Sequence, residues 1–122
     1  MITLYSIITI LVCHWLFDLF WQTDKMAQGK SKNNSDLFDH VCVYTIGLVV
    51  CTALNGAILN NYAWLYWIAI NSIAHFFTDY ITSRASSSLW EKKEVHDFFV
   101  VIGFDQMCHY ITLFGTFIWL AH

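Results

Sequence analysis

Residues 2–21, ITLYSIITILVCHWLFDLFW, decide the fold class: the run carries no charge except Asp18, with His14 the one further group whose ordinary pKa lies near neutrality. At a helical rise of about 1.5 Å per residue, a run of that length covers about 30 Å, the thickness of a bilayer's hydrocarbon core. It begins without a basic segment and shows no small-residue cleavage pattern, so it reads as a retained helix rather than a signal peptide.

Three comparable runs follow, at about residues 39–59, 62–81 and 98–120, separated by the polar segments 22–37 and 82–97 and by an Asn60-Asn61 turn. Main-chain polar groups in hydrocarbon must be satisfied inside their own segment, which selects helices. The expectation is an all-α polytopic membrane protein: one domain over residues 1–122, with four transmembrane helices at 2–21, 39–59, 62–81 and 98–120. The segment 22–37 has room for a short interfacial helix.

Composition supports this. Charged residues make up 12% of the chain and apolar types 57%, too little charge for an ordinary soluble surface. No basic stripe points to nucleic acid. Cys13, Cys42, Cys51 and Cys108 lie in apolar runs without a CxxC pair and read as packing residues.

All six basic residues, Lys25, Lys30, Lys32, Arg84, Lys92 and Lys93, fall in segments 22–37 and 82–97. The positive-inside rule puts those segments in the cytoplasm and both termini, Met1 and His122, outside. Tyr62, Trp64, Tyr66 and Trp67 are then expected in the outer aromatic belt, with Trp21 and Trp90 in the inner one.

Four His/Asp pairs share one spacing: His14/Asp18, Asp36/His40, His75/Asp79 and Asp105/His109. Residues four apart share a helix face, so each pair offers an imidazole and a carboxylate to one point. The order is His then Asp in spans one and three, Asp then His in spans two and four. Alternating helix direction therefore keeps each His deeper and each Asp nearer the cytoplasm. That mirrored order predicts two parallel helical-hairpin repeats with a site at their interface.

An unpaired carboxylate in hydrocarbon is costly, and a bound cation compensates it. The eight residues exceed the ligand set of one zinc and suit two divalent ions, with zinc favoured and iron or manganese compatible with the same nitrogen and oxygen donors. The competing reading is a buried polar network that fixes helix register and binds nothing. Asp36 is also a candidate helix cap, with Asp39 as its competitor for the ligand role. Gln22 and Gln106 are candidates to orient ligands, and Asn55 and Asn71 to hold helices together. The adjacent His96-Asp97 and terminal His122 are placed outside the site.

The run His14–Gln22, with Lys25, Lys30, His40, His75-x-x-x-Asp79, Arg84 and Asp105-Gln106-x-x-His109, resembles a family of small phage and bacterial membrane proteins known as domain of unknown function 3307. The resemblance spans nearly the whole chain and implies a multi-span protein of the bacterial inner membrane. In motif style, His14/Asp18 and His75/Asp79 are distantly similar to membrane-bound metal-dependent hydrolases.

The resulting expectation is a hydrolase in which metal-activated water attacks a lipid-like ester or phosphoester, with the eight His and Asp residues binding metal. Asp36 would shuttle the proton, and Arg84 or Lys25 would steady a phosphate. The alternatives are a nonenzymatic membrane interaction protein held by the His/Asp network and acting on a membrane-protein partner, a di-iron oxygenase, and an ion transporter. Oligomeric state is left open.

Overall fold

A computed structural model describes residues 2–121, all of whose regular structure is helical. Helix α1 spans Leu4–Trp15 and runs on as a π-helical turn over Leu16–Phe20, closed by Trp21 N donating to the Leu16 carbonyl at 2.8 Å. A short helix α2 spans Asp24–Gly29, followed by α3 at Asn34–Asn55, α4 at Asn61–Glu91 and α5 at Val95–Leu120. Side chains of Thr3, Thr23, Asn33 and Asn60 accept from the third following main-chain N–H, so the first four α-helices each start on an Asx or hydroxyl cap.

Several helix ends differ from the sequence expectation. Helix α4 continues through Glu91, ten residues past the expected end at 81, and α5 begins at Val95. The Ser-rich stretch inside α4 had read as a connection because serine competes for main-chain hydrogen bonds. Here those bonds run along the helix: Thr82 donates to the Thr78 carbonyl and Ser86 to the Ser83 carbonyl. The stop lies further on, where Lys93 takes φ 60°, its N–H reaches the Trp90 carbonyl and Glu94 N–H reaches back to Leu89, the double closure of a Schellman end.

Helix α1 packs on α3, α3 on α4, and α4 most extensively on α5. Away from the polar segments, Ile10, Tyr44, Leu48, Trp67, Leu113 and Phe117 form the apolar part of the core. Asn55 donates to Thr9 and Asn71 to Thr116, each at 2.9 Å, tying α3 to α1 and α4 to α5 as expected of them. Trp64 and Trp67 are buried rather than in an aromatic belt, because their indole N–H groups reach the carbonyls of Gly56 and Leu113. All four cysteines are free.

Toward the polar segments the interior is polar, while much of the exterior is apolar. Leu65, Tyr66, Ile73, Phe77 and Ile81 on α4, and Phe99, Phe104, Ile111 and Trp119 on α5, are exposed, while every His/Asp pair is buried. Helices α3 and α5 are long and apolar enough to cross a membrane, and Leu4–Phe20 is a shorter apolar helix. An apolar exterior of this extent would be a liability in water and is stabilised by lipid, which supports a membrane location.

Candidate metal centre

Seven of the eight paired residues meet. His14 and Asp18 come from the end of α1, His40 from α3, His75 and Asp79 from α4, and Asp105 and His109 from α5. The π turn matters locally: such bulges recur at functional sites, and here the widened turn carries Asp18 while keeping its carboxylate 3.4 Å from His14 Nε2.

The centre is built around four atoms. His40 Nε2 lies 3.1 Å from Asp18 Oδ1, 3.1 Å from Asp79 Oδ2 and 3.0 Å from His75 Nε2. His75 Nε2 lies 3.3 Å from the same Asp18 oxygen and 3.4 Å from the same Asp79 oxygen. None of the four residues is more than 2% exposed, so their nearest polar partners are protein groups.

Proton accounting tests this arrangement. A neutral imidazole has one N–H, so His40 Nε2 can donate to only one of its three neighbours. His40 and His75 present Nε2 to each other, so one ring must offer a lone pair and carry its proton on Nδ1; yet Nδ1 of His14, His40 and His75 has no hydrogen-bond partner. A cation among the four atoms would take one lone pair from each. Metal bonds of about 2.0–2.2 Å in a tetrahedral site give ligand-to-ligand edges of about 3.3–3.6 Å. The five distances above, 3.0 to 3.4 Å, reach the lower end of that range. The donor set therefore fits a divalent ion.

A second group, Asp18, Asp105 and His109, shares Asp18 with the first. His109 Nε2 is 3.1 Å from both Asp105 Oδ2 and Asp79 Oδ1, so the two groups are continuous. His14 stands at the edge, its Nε2 2.8 Å from Gln106 Oε1; Gln106 Nε2 in turn donates to Asp18 and Asp105 at 3.1 and 3.2 Å. Thr82 donates to the other Asp105 oxygen.

Lys30 enters from the segment after α2, its Nζ 3.1 Å from Asp79 Oδ2. Burial alone would lower this ammonium's pKa; the nearby Asp79, Asp18 and Asp105 outweigh it and hold the group above the ordinary lysine value. The sequence marked Lys30 as basic but gave no reason to pair it with a residue 49 positions away. Tyr44, stacked on His75 with ring centroids 3.8 Å apart, was also missed, although its spacing from His40 repeats the four-residue rule.

Other candidates lie elsewhere. Asp36 is buried but apart from the two groups: its N–H and Oδ2 both bond Asn33, and Lys25 stands 3.5 Å from Oδ1. Asn33 rather than Asp36 is the cap of α3, and Asp36 is held by it instead of joining His40 at the centre. Asp39, His96 and Asp97 are exposed. Arg84 is spread over the Tyr80 ring at 3.7 Å and donates to Asn34, which turns it away from the centre. Asp36, Lys25 and Arg84 are thus not gathered at the centre in the roles expected of them, and His122 and Met1 lie outside the described residues.

No curated protein and no solved structure matches the chain, so the likeness to hydrolases rests on motif style alone. A family model described as "Protein of unknown function (DUF3307)" matches residues 6–121, and the chain belongs to that family.

Proposed function

We propose that the chain is a membrane protein of four spans, paired as the hairpins α1/α3 and α4/α5, whose Asp/His centre is first a register-fixing network; its role is nonenzymatic, through interaction with other membrane components. The observation that carries this reading is the complete engagement of the three central carboxylates by protein groups. Asp18 meets His40 and Gln106, Asp79 meets Lys30 and His109, and Asp105 meets Thr82, Gln106 and His109. Buried charge so partnered is a recognised way to specify one helix register at some expense in stability.

The tetrahedral spacing favours a second reading, a metal-dependent hydrolase of a lipid-like ester or phosphoester. A divalent ion would supply Lewis acidity and a water that ionises near neutral pH. The chain's part would be to hold it with Asp18, His40, His75 and Asp79, while Gln106 keeps His14 and Asp18 in orientation and Lys30 neutralises Asp79. Zinc, iron and manganese all accept this donor set.

Elemental analysis and thermal unfolding of detergent-purified protein separate the two. The network reading expects substoichiometric metal after dialysis and an unchanged Tm with chelator. One ion or more retained per chain, with Tm falling on chelation and occupancy lost in Asp79→Asn, would replace it with the metal reading, since a ligand bound only to the folded state must stabilise it.

A further inference from the structure

Beside the centre lies a second feature that neither reading uses. A cavity of about 690 Å³ opens between the α1–α2 segment and the facing parts of α4 and α5, with Asp18, Asp105 and Gln106 at its inner end. That is within the range of small-molecule sites, about 300–1,000 Å³.

Its lining is divided by chemistry. Leu19, Trp90, Phe98, Phe99 and Ile102 form apolar wall, and Trp90, Phe99 and Ile102 belong to the same exposed apolar exterior that favours lipid. The polar lining includes Gln22, Lys30, Lys32, Ser83 and Glu91. Two of these groups lack partners: Ser83 Oγ, on a residue only 7% exposed, and Gln22 Oε1 are both buried without a hydrogen bond. A buried polar atom left unpaired is costly, so each is a place where a ligand atom is worth having.

The two orphans can be met by opposite parts of one ligand: Ser83 Oγ can donate as well as accept, whereas Gln22 Oε1 can only accept. The charges divide in the same way. Lys32 and Glu91 are exposed and make no ion pair among the described residues, and Lys30 has N–H groups beyond the one that meets Asp79. Asp18 and Asp105 are already engaged within the centre. An occupant that satisfies this lining carries an acceptor-rich anion and an N–H-bearing cation on one head, with an apolar tail leaving past the aromatic wall.

We propose that this cavity binds the phosphoethanolamine head of a membrane phospholipid, its phosphate against Lys32, Lys30 and Ser83 and its ammonium against Glu91 and Gln22. The proposal rests on the membrane location but on neither role of the centre. A choline head presents the same phosphate but no N–H for Gln22 and Glu91; a glycerol head presents no cation.

Native mass spectrometry of the full chain released from detergent tests this, with dioleoyl phosphatidylethanolamine, phosphatidylcholine and phosphatidylglycerol added separately, and with soluble phosphoethanolamine and inorganic phosphate as further arms. The expected result is one phosphatidylethanolamine per chain, bound at least tenfold more tightly than the other two lipids. Lys32→Glu should weaken it about tenfold, while Lys92→Glu, at an exposed residue outside the cavity, should leave it unchanged. Glu91→Lys, also at an exposed position outside the packed core, should move the preference to phosphatidylglycerol. Equal binding of the three lipids, an unmoved preference in Glu91→Lys, or soluble phosphoethanolamine or phosphate binding as tightly as the lipid would each overturn the proposal. Release of the chain from membranes by alkaline carbonate would instead overturn the membrane location itself.

Discussion

Lys30 shows how much of the centre depends on one side chain contributed by a connecting segment. Its ammonium is largely buried, with 19% of the side chain exposed, against an Asp79 carboxylate that is itself 1% exposed. Removing one partner of a buried pair leaves the other uncompensated, at about 3–5 kcal/mol. Lys30→Met should therefore lower Tm of the detergent-purified chain markedly, and Asp79→Asn added to it should restore part of the loss, because the two sites are coupled. Lys92→Met, at an exposed position, is the control and should move stability by about 0.5 kcal/mol or less. Equal Tm values for Lys30→Met and the control would show that the ion pair contributes nothing. The four-residue spacing exposed both acid and imidazole of each pair to sequence reading, since it is a property of a single helix. Gln106 was legible as a ligand-orienting candidate, but its partners His14 and Asp18, like the Asp79 partner of Lys30, are brought together only by tertiary packing.

At the scale of helices, close approach decides where the π turn can lie. A Cβ placed on Gly47 of α3 would stand 2.5 Å from both Cβ and Cγ of Phe17, in the turn that carries Asp18. Phe17 Cβ is fixed to the main chain and cannot swing aside, so the helices must separate. Gly47→Ala should cost about 1–3 kcal/mol, as overpacking usually does, and the loss is read as a lower Tm. Gly115→Ala on α5 meets nothing within 4 Å and replaces glycine inside a helix, so it should stabilise by about 0.5–1 kcal/mol. A neutral Gly47→Ala would mean that α1 and α3 do not pack this closely. Neither glycine announced its role in the sequence, because close approach depends on what lies opposite. The length of α4 was hidden for a related reason: Ser83 and Ser86 are polar as a loop would be, yet both are buried on a helical face that lines the cavity.

For the whole molecule, charge and length bear on orientation together. The two polar segments share one end: Lys30 reaches Asp79, Arg84 Nη2 donates to Asn34 at 3.1 Å, and both segments line the cavity. All six basic residues are therefore gathered there, the bias that holds a loop in the cytoplasm. Helix α4, at 31 residues, is about 46 Å long at the usual rise, against about 30 Å of hydrocarbon. The surplus of about 16 Å corresponds to roughly ten residues, enough to carry the serine-rich end beyond the core if the apolar stretch from Tyr62 to Ile81 spans it. A membrane-impermeant maleimide reads this directly in whole cells, in a Cys42→Ala background that removes the exposed native thiol. Tyr62→Cys, at a position 77% exposed near the opposite end, should be labelled in intact cells. Ser88→Cys, exposed in the cationic half, should be labelled only after permeabilisation. The reverse pattern would invert the orientation, and labelling of both in intact cells would remove α4 as a span, leaving its apolar outer face to be covered by something other than lipid.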